Sequence, residues 1–136
     1  MTLTFDPFTG IISDKLKYIR FGNVDETPLP GFDTTTPTDV PAMIATIEKA
    51  GDYVFFGILN LESNQNLELE LFIALNGVTI DTQLVSDEGR KKKNQSIQGT
   101  FALDNLVPGD VVTFRLDTDG DNVTLTNRRW LAQSWA

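Results

Sequence analysis

The chain lacks cysteine and histidine and has few basic residues. Its 136 residues include 11 Lys and Arg against 19 Asp and Glu, which gives a formal net charge of −8. The missing side chains exclude a disulfide scaffold and the zinc, haem and iron–sulfur sites built on Cys or His. Nucleic-acid affinity comes mostly from neutralising phosphates, so an acidic chain argues against general nucleic-acid binding. We therefore expect no cofactor and no nucleic-acid partner.

Long apolar runs are absent as well. No stretch approaches the ~20 residues that a membrane-spanning helix needs. The N-terminus, Met1 to Pro7, has neither the basic start nor the apolar centre of a signal peptide. The sequence thus predicts no membrane partner and a single domain assembled in a cytoplasm.

Proline is concentrated at the start of the chain. Five of the six prolines precede residue 42. Since proline cannot donate to a β-ladder, residues 1–41 are predicted to form an extended N-terminal arm, with one strand near Lys15–Phe21, and residues 42–136 to form the folded domain. The arm is either a flexible leader or, as we favour, a segment that becomes ordered against a partner. Its apolar anchors would be Phe5, Phe8, Ile11 and Ile12.

The stretch Tyr53–Leu61 is apolar on both faces of a predicted strand. Tyr53, Phe55, Leu59 and Leu61 fall on one face, and Val54, Phe56 and Ile58 fall on the other. In a two-layer sandwich one face of a strand meets the opposing sheet and the other normally meets water. A second apolar face therefore indicates association with other copies.

A hairpin is predicted around Asn76-Gly77, because a two-residue type I′ turn needs positive φ at both central positions. This turn pairs Leu75 with Val78, Ile73 with Ile80, Leu71 with Thr82 and Leu69 with Leu84. With further strands and a charged loop at 86–94, about eight strands result, which predicts an all-β antiparallel sandwich of the jelly-roll type. The further strands are Ile44–Ile47, Ser96–Leu103, Val111–Asp117 and Val123–Trp130.

Two acidic groups of residues have alternative interpretations. Asp117, Asp119 and Asp121 around Gly120 suit either a plain turn, which we favour, or a weak calcium site. Glycosidases work with carboxylates alone, so acidic residues could in principle form a catalytic pair. The candidates for such a pair are Glu62, Glu68, Glu70 and Asp81, but a solvated face of the sheet explains them better. Neither His nor a motif lysine is present to activate a serine, and we therefore predict no enzyme.

Two further groups carry binding hypotheses. The basic run Arg90, Lys91, Lys92 and Lys93 is either a solvated loop or a contact for an acidic neighbour, a lipid head group or a phosphate. Trp130 and Trp135 either complete the core or an interface, or stack on a sugar. We predict a subunit interface made of Val54, Phe56, Ile58, Phe72, Trp130 and Trp135.

Residues 44–136 resemble the tumour-necrosis-factor-like jelly roll shared by complement globular heads and many phage proteins. The resemblance is carried by the stretches Ala50–Phe56, Leu75–Gly77, Leu106–Val112 and Trp130–Ala136. It implies the jelly-roll fold and a homotrimer. The opening Leu3–Gly10 looks like a short leader found on some phage virion proteins, and together these features point to a tailed phage.

The resulting expectation is a non-enzymatic phage virion protein. It would be a homotrimeric head decoration or cement protein that binds the major capsid protein, or another virion protein, through its arm. One alternative is a receptor- or glycan-binding domain of a tail fibre or tail tip, using loops at 64–66 and 86–94 and Trp135. Another is a calcium-dependent carbohydrate-binding module.

Overall fold

The computed structural model describes residues 11–12, 18–25, 28–33, 36–63, 67–89, 95–118 and 122–135. These residues form strands and short connections, and none of them lies in a helix that could cross a bilayer. In chain order the strands are β1 (Ile11–Ile12), β2 (Tyr18–Asp25), β3 (Leu29–Asp33), β4 (Thr38–Ile47), β5 (Gly51–Ser63), β6 (Leu67–Leu75), β7 (Val78–Gly89), β8 (Gln95–Leu106), β9 (Val111–Asp117) and β10 (Asn122–Trp135).

The strands build two sheets that pack face to face. The first sheet has the order β1-β4-β9-β6-β7, and the second has the order β2-β10-β5-β8, with β3 also pairing with β10. All pairs are antiparallel except β1 with β4. From β4 onward the chain crosses between the sheets at every connection except the β6–β7 hairpin. The predicted all-β jelly-roll sandwich is therefore confirmed.

The core lies between the sheets and follows from period-two alternation in the strands. Along β5, buried residues from Tyr53 to Ser63 alternate with half-buried or exposed ones, as expected where successive side chains point to opposite faces. The same alternation holds in β8. Large side chains with almost no exposure fill the interior, including Met43, Ile47, Phe55, Leu59, Leu61, Leu69, Leu71, Phe101 and Phe114.

Strands precede the domain boundary predicted at residue 42. That position falls inside β4, and β2 pairs with β10 from Tyr18 opposite Trp135 to Asp25 opposite Arg128. The two-residue strand β1 pairs with Thr46 and Ile47 at the end of β4. Apart from Pro28, Thr36 and Pro37, the described residues of 1–41 thus lie in the two sheets.

The β6–β7 hairpin begins with the predicted register and then departs from it. Leu75 pairs with Val78, as predicted, and Ala74 pairs with Thr79. The next pair is Phe72 with Leu84, so one residue of β6 faces four residues of β7. The predicted pairs of Leu71 with Thr82 and Leu69 with Leu84 are wrong: Leu71 pairs with Val85, and Leu69 with Asp87.

The physical reason is the position of each strand. β6 is held on its other side by β9 in an unbroken register, whereas β7 lies at the edge and accommodates the extra residues. The predicted loop 86–94 is likewise too long, since β7 continues to Gly89. The described residues contain ten strands rather than about eight. The predicted arm strand near Lys15–Phe21 corresponds to β2, and the two additional strands are β1 in the first sheet and β3 in the second.

Candidate interaction surfaces

Two tight turns lie at one end of the sandwich. The β6–β7 turn has φ values of 50° at Asn76 and 81° at Gly77, which fits the predicted type I′ geometry. The β8–β9 turn runs from Val107 to Asp110, with φ 95° at Gly109 and a hydrogen bond of 3.1 Å from the Asp110 N–H to the Val107 carbonyl. Proline followed by a glycine with positive φ is typical of a type II turn.

The side chains of Asn76 and Asp110 join these two turns. Asn76 Nδ2 donates to Asp110 Oδ1 at 3.0 Å, and the Val111 N–H donates to Asn76 Oδ1 at 2.8 Å. The other carboxylate oxygen of Asp110 accepts from the Val107 N–H at 2.9 Å. The Val107 N–H, and then the Asn76 amide, lower the pKa of Asp110, against a small opposing effect of burial. This end of the sandwich is therefore held by side chains that are 34 positions apart in the sequence.

The tyrosine of the Gly51–Phe56 stretch has a structural role at the same end. Its ring is buried, and its hydroxyl donates to the Lys49 carbonyl at 2.6 Å, which ties β5 to the connection that precedes it. Burial raises the pKa of Tyr53. Asp52 Oδ1 accepts from the Asn105 N–H at 2.8 Å and links the start of β5 to the end of β8. These hydrogen bonds stabilise this end of the fold.

An apolar patch lies on the outer face of the second sheet, on β5 and β10. Val54, Phe56 and Ile58 of β5 point outward and are half-buried. Leu131 of β10 lies directly opposite Phe56 and is half-buried as well. We call these four residues the outer apolar patch. Its position confirms that β5 is apolar on both faces.

On β5, β8 and β10, the outward residues beyond this patch are polar or charged, apart from Ala102 of β8. Further along β5, the outward residues Asn60 and Glu62 lie opposite Asn127 and Thr124 of β10. Along the neighbouring β8, the outward residues from Ser96 to Asp104 are all exposed. The outer apolar patch thus lies toward the end of β5 that is nearest the two turns. On β10 it is bordered by the exposed Arg129, opposite Ile58, and by Gln133, opposite Val54.

Two of the other predicted interface residues, Trp130 and Phe72, do not join this patch. Trp130 lies opposite Gly57 on the inner face, is 3% exposed, and its Nε1 donates to the Ala42 carbonyl of β4 at 3.2 Å. Its prediction as an interface residue is therefore wrong, because it fills the core and joins the two sheets. Phe72 is 6% exposed and lies on the outer face of the first sheet, on the opposite side of the molecule.

The outer face of the first sheet is covered by a polar network that sequence reasoning missed. Arg115 of β9 donates from Nε to Asp39 Oδ1 at 2.6 Å and from Nη1 to Thr79 Oγ1 at 2.7 Å. Its Nη2 donates to the Gly77 carbonyl at 3.2 Å, and Thr113 Oγ1 also donates to Asp39 Oδ1 at 3.0 Å. This network connects β4, β9 and β7 with the hairpin turn, so these side chains are used within the fold.

The candidate catalytic acids lie apart. Glu62 is on the outer face of the second sheet, whereas Glu68 and Glu70 are on β6 in the first sheet. The side chain of Asp81 lies outside the described residues. Among the residues that are described, no group of three or more His, Cys, Asp or Glu is placed to hold a metal ion. The geometry therefore gives no support to carboxylate catalysis at these positions.

Several predicted binding residues lie outside the described part of the chain. They are Phe5, Phe8, the run Arg90 to Lys93, and Asp119 and Asp121 of the candidate calcium loop. The strand backbones at Ile11, Ile12 and Trp135 are described, but their side chains are not. Asp117, the remaining residue of the calcium hypothesis, ends β9 and is half-buried. These predictions stay predictions.

Comparison with solved structures shows which class of protein has this fold. The chain is a jelly-roll protein with the architecture of tumour necrosis factor and the globular heads of complement. It is similar to the Eiger TNF of S. frugiperda, with a TM-score of 0.58 and 17% identity over 96% of this chain and 94% of that one. It is also similar to the globular domain of a zebrafish complement 1qA protein, with a TM-score of 0.50 and 16% identity over 85% and 95% of the two chains.

A viral protein has a similar fold. The match to VP2 in the infectious bursal disease virus subviral particle has a TM-score of 0.57 and 13% identity, and it covers 99% of this chain and 37% of that one. No family model and no curated protein sequence matches the chain. At these identities the likeness concerns the fold alone, which agrees with the resemblance seen in the sequence motifs.

Proposed function

We propose that this chain is a non-enzymatic structural protein of a virus particle, and more narrowly a homotrimeric decoration or cement protein on the head of a tailed phage. One observation carries the proposal: the outer apolar patch is only half-buried in a single chain. A jelly roll of the same architecture occurs in a viral particle protein, VP2. Among the residues that the structure describes, the candidate acids Glu62, Glu68 and Glu70 lie on two different sheets, which supports a structural role over a catalytic one.

The patch is suited to contact between copies. Full burial of a Val, Leu, Ile or Phe side chain contributes roughly 1.5–3 kcal/mol, so completing the burial of four half-buried side chains gives several kcal/mol per copy before the entropic costs of association. The polar border supplies the hydrogen-bonding rim typical of protein interfaces. The number of copies, three, follows from the resemblance of the sequence motifs to trimeric jelly rolls.

The patch is tested by placing a charge in its centre. Phe56→Asp should leave the fold intact, because the side chain points away from the core, and should convert the oligomer into monomers in light scattering. Thr124→Asp makes the same change in net charge on the polar half of the same face and should preserve the oligomer. An assembled Phe56→Asp variant, or a wild-type chain that is monomeric at micromolar concentration, would contradict the proposal.

The N-terminal residues are proposed to hold the trimer on the particle. Phe5 and Phe8 provide apolar anchors, and the basic run Arg90 to Lys93 would complement acidic groups of the virion partner. Deleting residues 1–10 keeps β1 and should leave a folded oligomer that no longer occupies capsids in a co-sedimentation assay. Replacing only Phe5 and Phe8 by Ser is the finer variant. Unchanged occupancy of both variants would exclude this mode of attachment.

A further inference from the structure

Asn76 is the one asparagine of this chain that is followed by glycine. An Asn-Gly pair is chemically labile, because a residue without a side chain lets its backbone nitrogen reach the preceding side-chain amide. The pair forms the turn between β6 and β7, and Asn76 is exposed. Apart from its chain neighbours, a Cβ added at Gly77 would meet no atom within 4 Å. Solvent therefore has access to this reactive pair.

The reaction open to the pair is deamidation. The Gly77 nitrogen attacks the side-chain carbonyl carbon of Asn76 and gives up its proton, and the side-chain nitrogen leaves as ammonia. The resulting cyclic imide is opened by a water molecule, which yields aspartate or, if the main-chain carbonyl is attacked, isoaspartate. In sum an amide and water become a carboxylic acid and ammonia, and no enzyme or cofactor is needed.

In the folded chain, both polar atoms of the Asn76 side chain are held in hydrogen bonds. Nδ2 donates to Asp110 Oδ1 at 3.0 Å, and Oδ1 accepts from the Val111 N–H at 2.8 Å. The backbone of the pair is held as well: the Asn76 N–H donates to the Val111 carbonyl at 2.8 Å, and Arg115 Nη2 donates to the Gly77 carbonyl at 3.2 Å. Ring closure needs rotations within Asn76, so these contacts must break before the reaction can occur.

We propose that Asn76 is a site of spontaneous deamidation and that its contact with Asp110 controls the rate. The intact contact holds the side-chain amide away from the Gly77 nitrogen. Local opening of the two turns, rather than unfolding of the sheets, releases it. The inference concerns the chain itself and does not depend on the proposed function.

The product of the reaction could not restore the contact. Aspartate in this position has no Nδ2 donor and brings a second carboxylate to the place where Nδ2 lies 3.0 Å from Asp110 Oδ1. Like charges at such a separation repel each other, and isoaspartate would also lengthen the main chain of the turn. Deamidation therefore acts in one direction and releases the β6–β7 turn from the β8–β9 turn.

Peptide mapping by mass spectrometry, during storage at mildly alkaline pH, measures the rate at Asn76. Asp110→Ala removes the acceptor and should raise this rate roughly three- to tenfold, the change that losing one or two hydrogen bonds makes to an opening equilibrium. Asp104→Ala makes the same change in net charge at an exposed position of β8 and should leave the rate unchanged. An Asp110→Ala rate equal to that of the wild type would overturn the proposal.

A second comparison separates opening of the turns from unfolding of the whole chain. Gly57→Ala places a Cβ 2.8 Å from Phe114 Cδ2 in the core, so it weakens the fold away from the turns. It should leave the rate at Asn76 close to that of the wild type, whereas the chain unfolded in urea should react faster than the folded chain. Equal acceleration by Gly57→Ala and Asp110→Ala, or equal rates in the folded and unfolded chain, would contradict control by the contact.

Asn76→Asp reproduces the aspartate product and tests its effect on the fold. This variant should be less stable than the wild type in urea unfolding at neutral pH, and the difference should shrink in acid as the paired carboxylates become protonated. Thr124→Asp adds the same charge on the second sheet and should change stability less. An Asn76→Asp variant as stable as the wild type would show that deamidation does not release the turns.

Discussion

At the residue scale, Asp110 holds the turn end of the sandwich together. Its two carboxylate oxygens accept from the Val107 N–H and from the Asn76 amide, while its backbone N–H and carbonyl bond to Val107 and Ile47. This one residue thereby connects the turn that precedes β9 and the β6–β7 turn through its side chain, and the end of β4 through its backbone carbonyl. The Gly-Asp and Asn-Gly pairs are each recognisable in the sequence, but their contact is a product of the fold.

Asp110→Asn should lower the free energy of unfolding at neutral pH by about 1 kcal/mol, the net contribution of a typical hydrogen bond. Because the pKa of Asp110 is lowered in the folded state, the stabilisation is present above the pKa of the unfolded chain and is lost as pH falls through the folded value. The difference between wild type and variant should therefore shrink below about pH 4. Urea unfolding at several pH values measures this.

The control for this prediction is Asp104→Asn. Asp104 is an exposed aspartate near the end of β8, and its replacement makes the same change in net charge. It should alter stability little at any of these pH values. If Asp110→Asn and Asp104→Asn gave the same pH profile, general charge reduction would explain the effect instead of the hydrogen bonds at Asp110.

At the element scale, the two sheets depend on a close approach at Gly57 in the middle of β5. A Cβ added there would lie 2.8 Å from Phe114 Cδ2 and 2.9 Å from the Met43 methyl carbon. Both neighbours belong to the first sheet, so Gly57 lets the ring of Phe114 pack directly on the β5 backbone. Gly57 is also flanked by Trp130 on β10 and Gly99 on β8. The absence of a side chain is thus what the packing requires.

Gly57→Ala should destabilise the protein by about 1–3 kcal/mol, the usual range for overpacking a core. Phe114→Leu should be destabilising alone, but combined with Gly57→Ala it should cost less than the sum of the two changes, because the smaller side chain leaves room for the methyl group. Denaturant unfolding of the four proteins in this cycle measures the coupling. Strictly additive losses would show that the two sites do not contact each other.

At the scale of the whole molecule, the two outer faces differ in kind. One carries the Arg115 network, which joins β4, β9 and β7, whereas the other carries the half-buried outer apolar patch. The proposed contacts between copies therefore involve the second sheet. Since every copy is acidic, such apolar contacts would have to overcome electrostatic repulsion.

Raising the salt concentration from about 0.02 M to 0.2 M should strengthen self-association, because screening reduces repulsion between chains of like charge. Sedimentation velocity across a dilution series measures the shift. The Thr124→Asp variant, which is one charge more negative, should show a larger salt effect. Weaker association at high salt would contradict this prediction and would indicate that attraction between unlike charges dominates the contact.

The sequence alone determined the local features of this protein. Asn76-Gly77 and Pro108-Gly109-Asp110 specify turns because few residues tolerate positive φ, and alternation along β5 marks a strand with two apolar faces. Tertiary structure decided what the periodicity of apolar residues leaves open: which face of each strand points inward, which strands lie at the edges of the sheets, and which strands pair with each other. Trp130 lies in the core, and the β6–β7 register shifts beyond Ala74, because packing against the other strands, and not local preference, sets these positions.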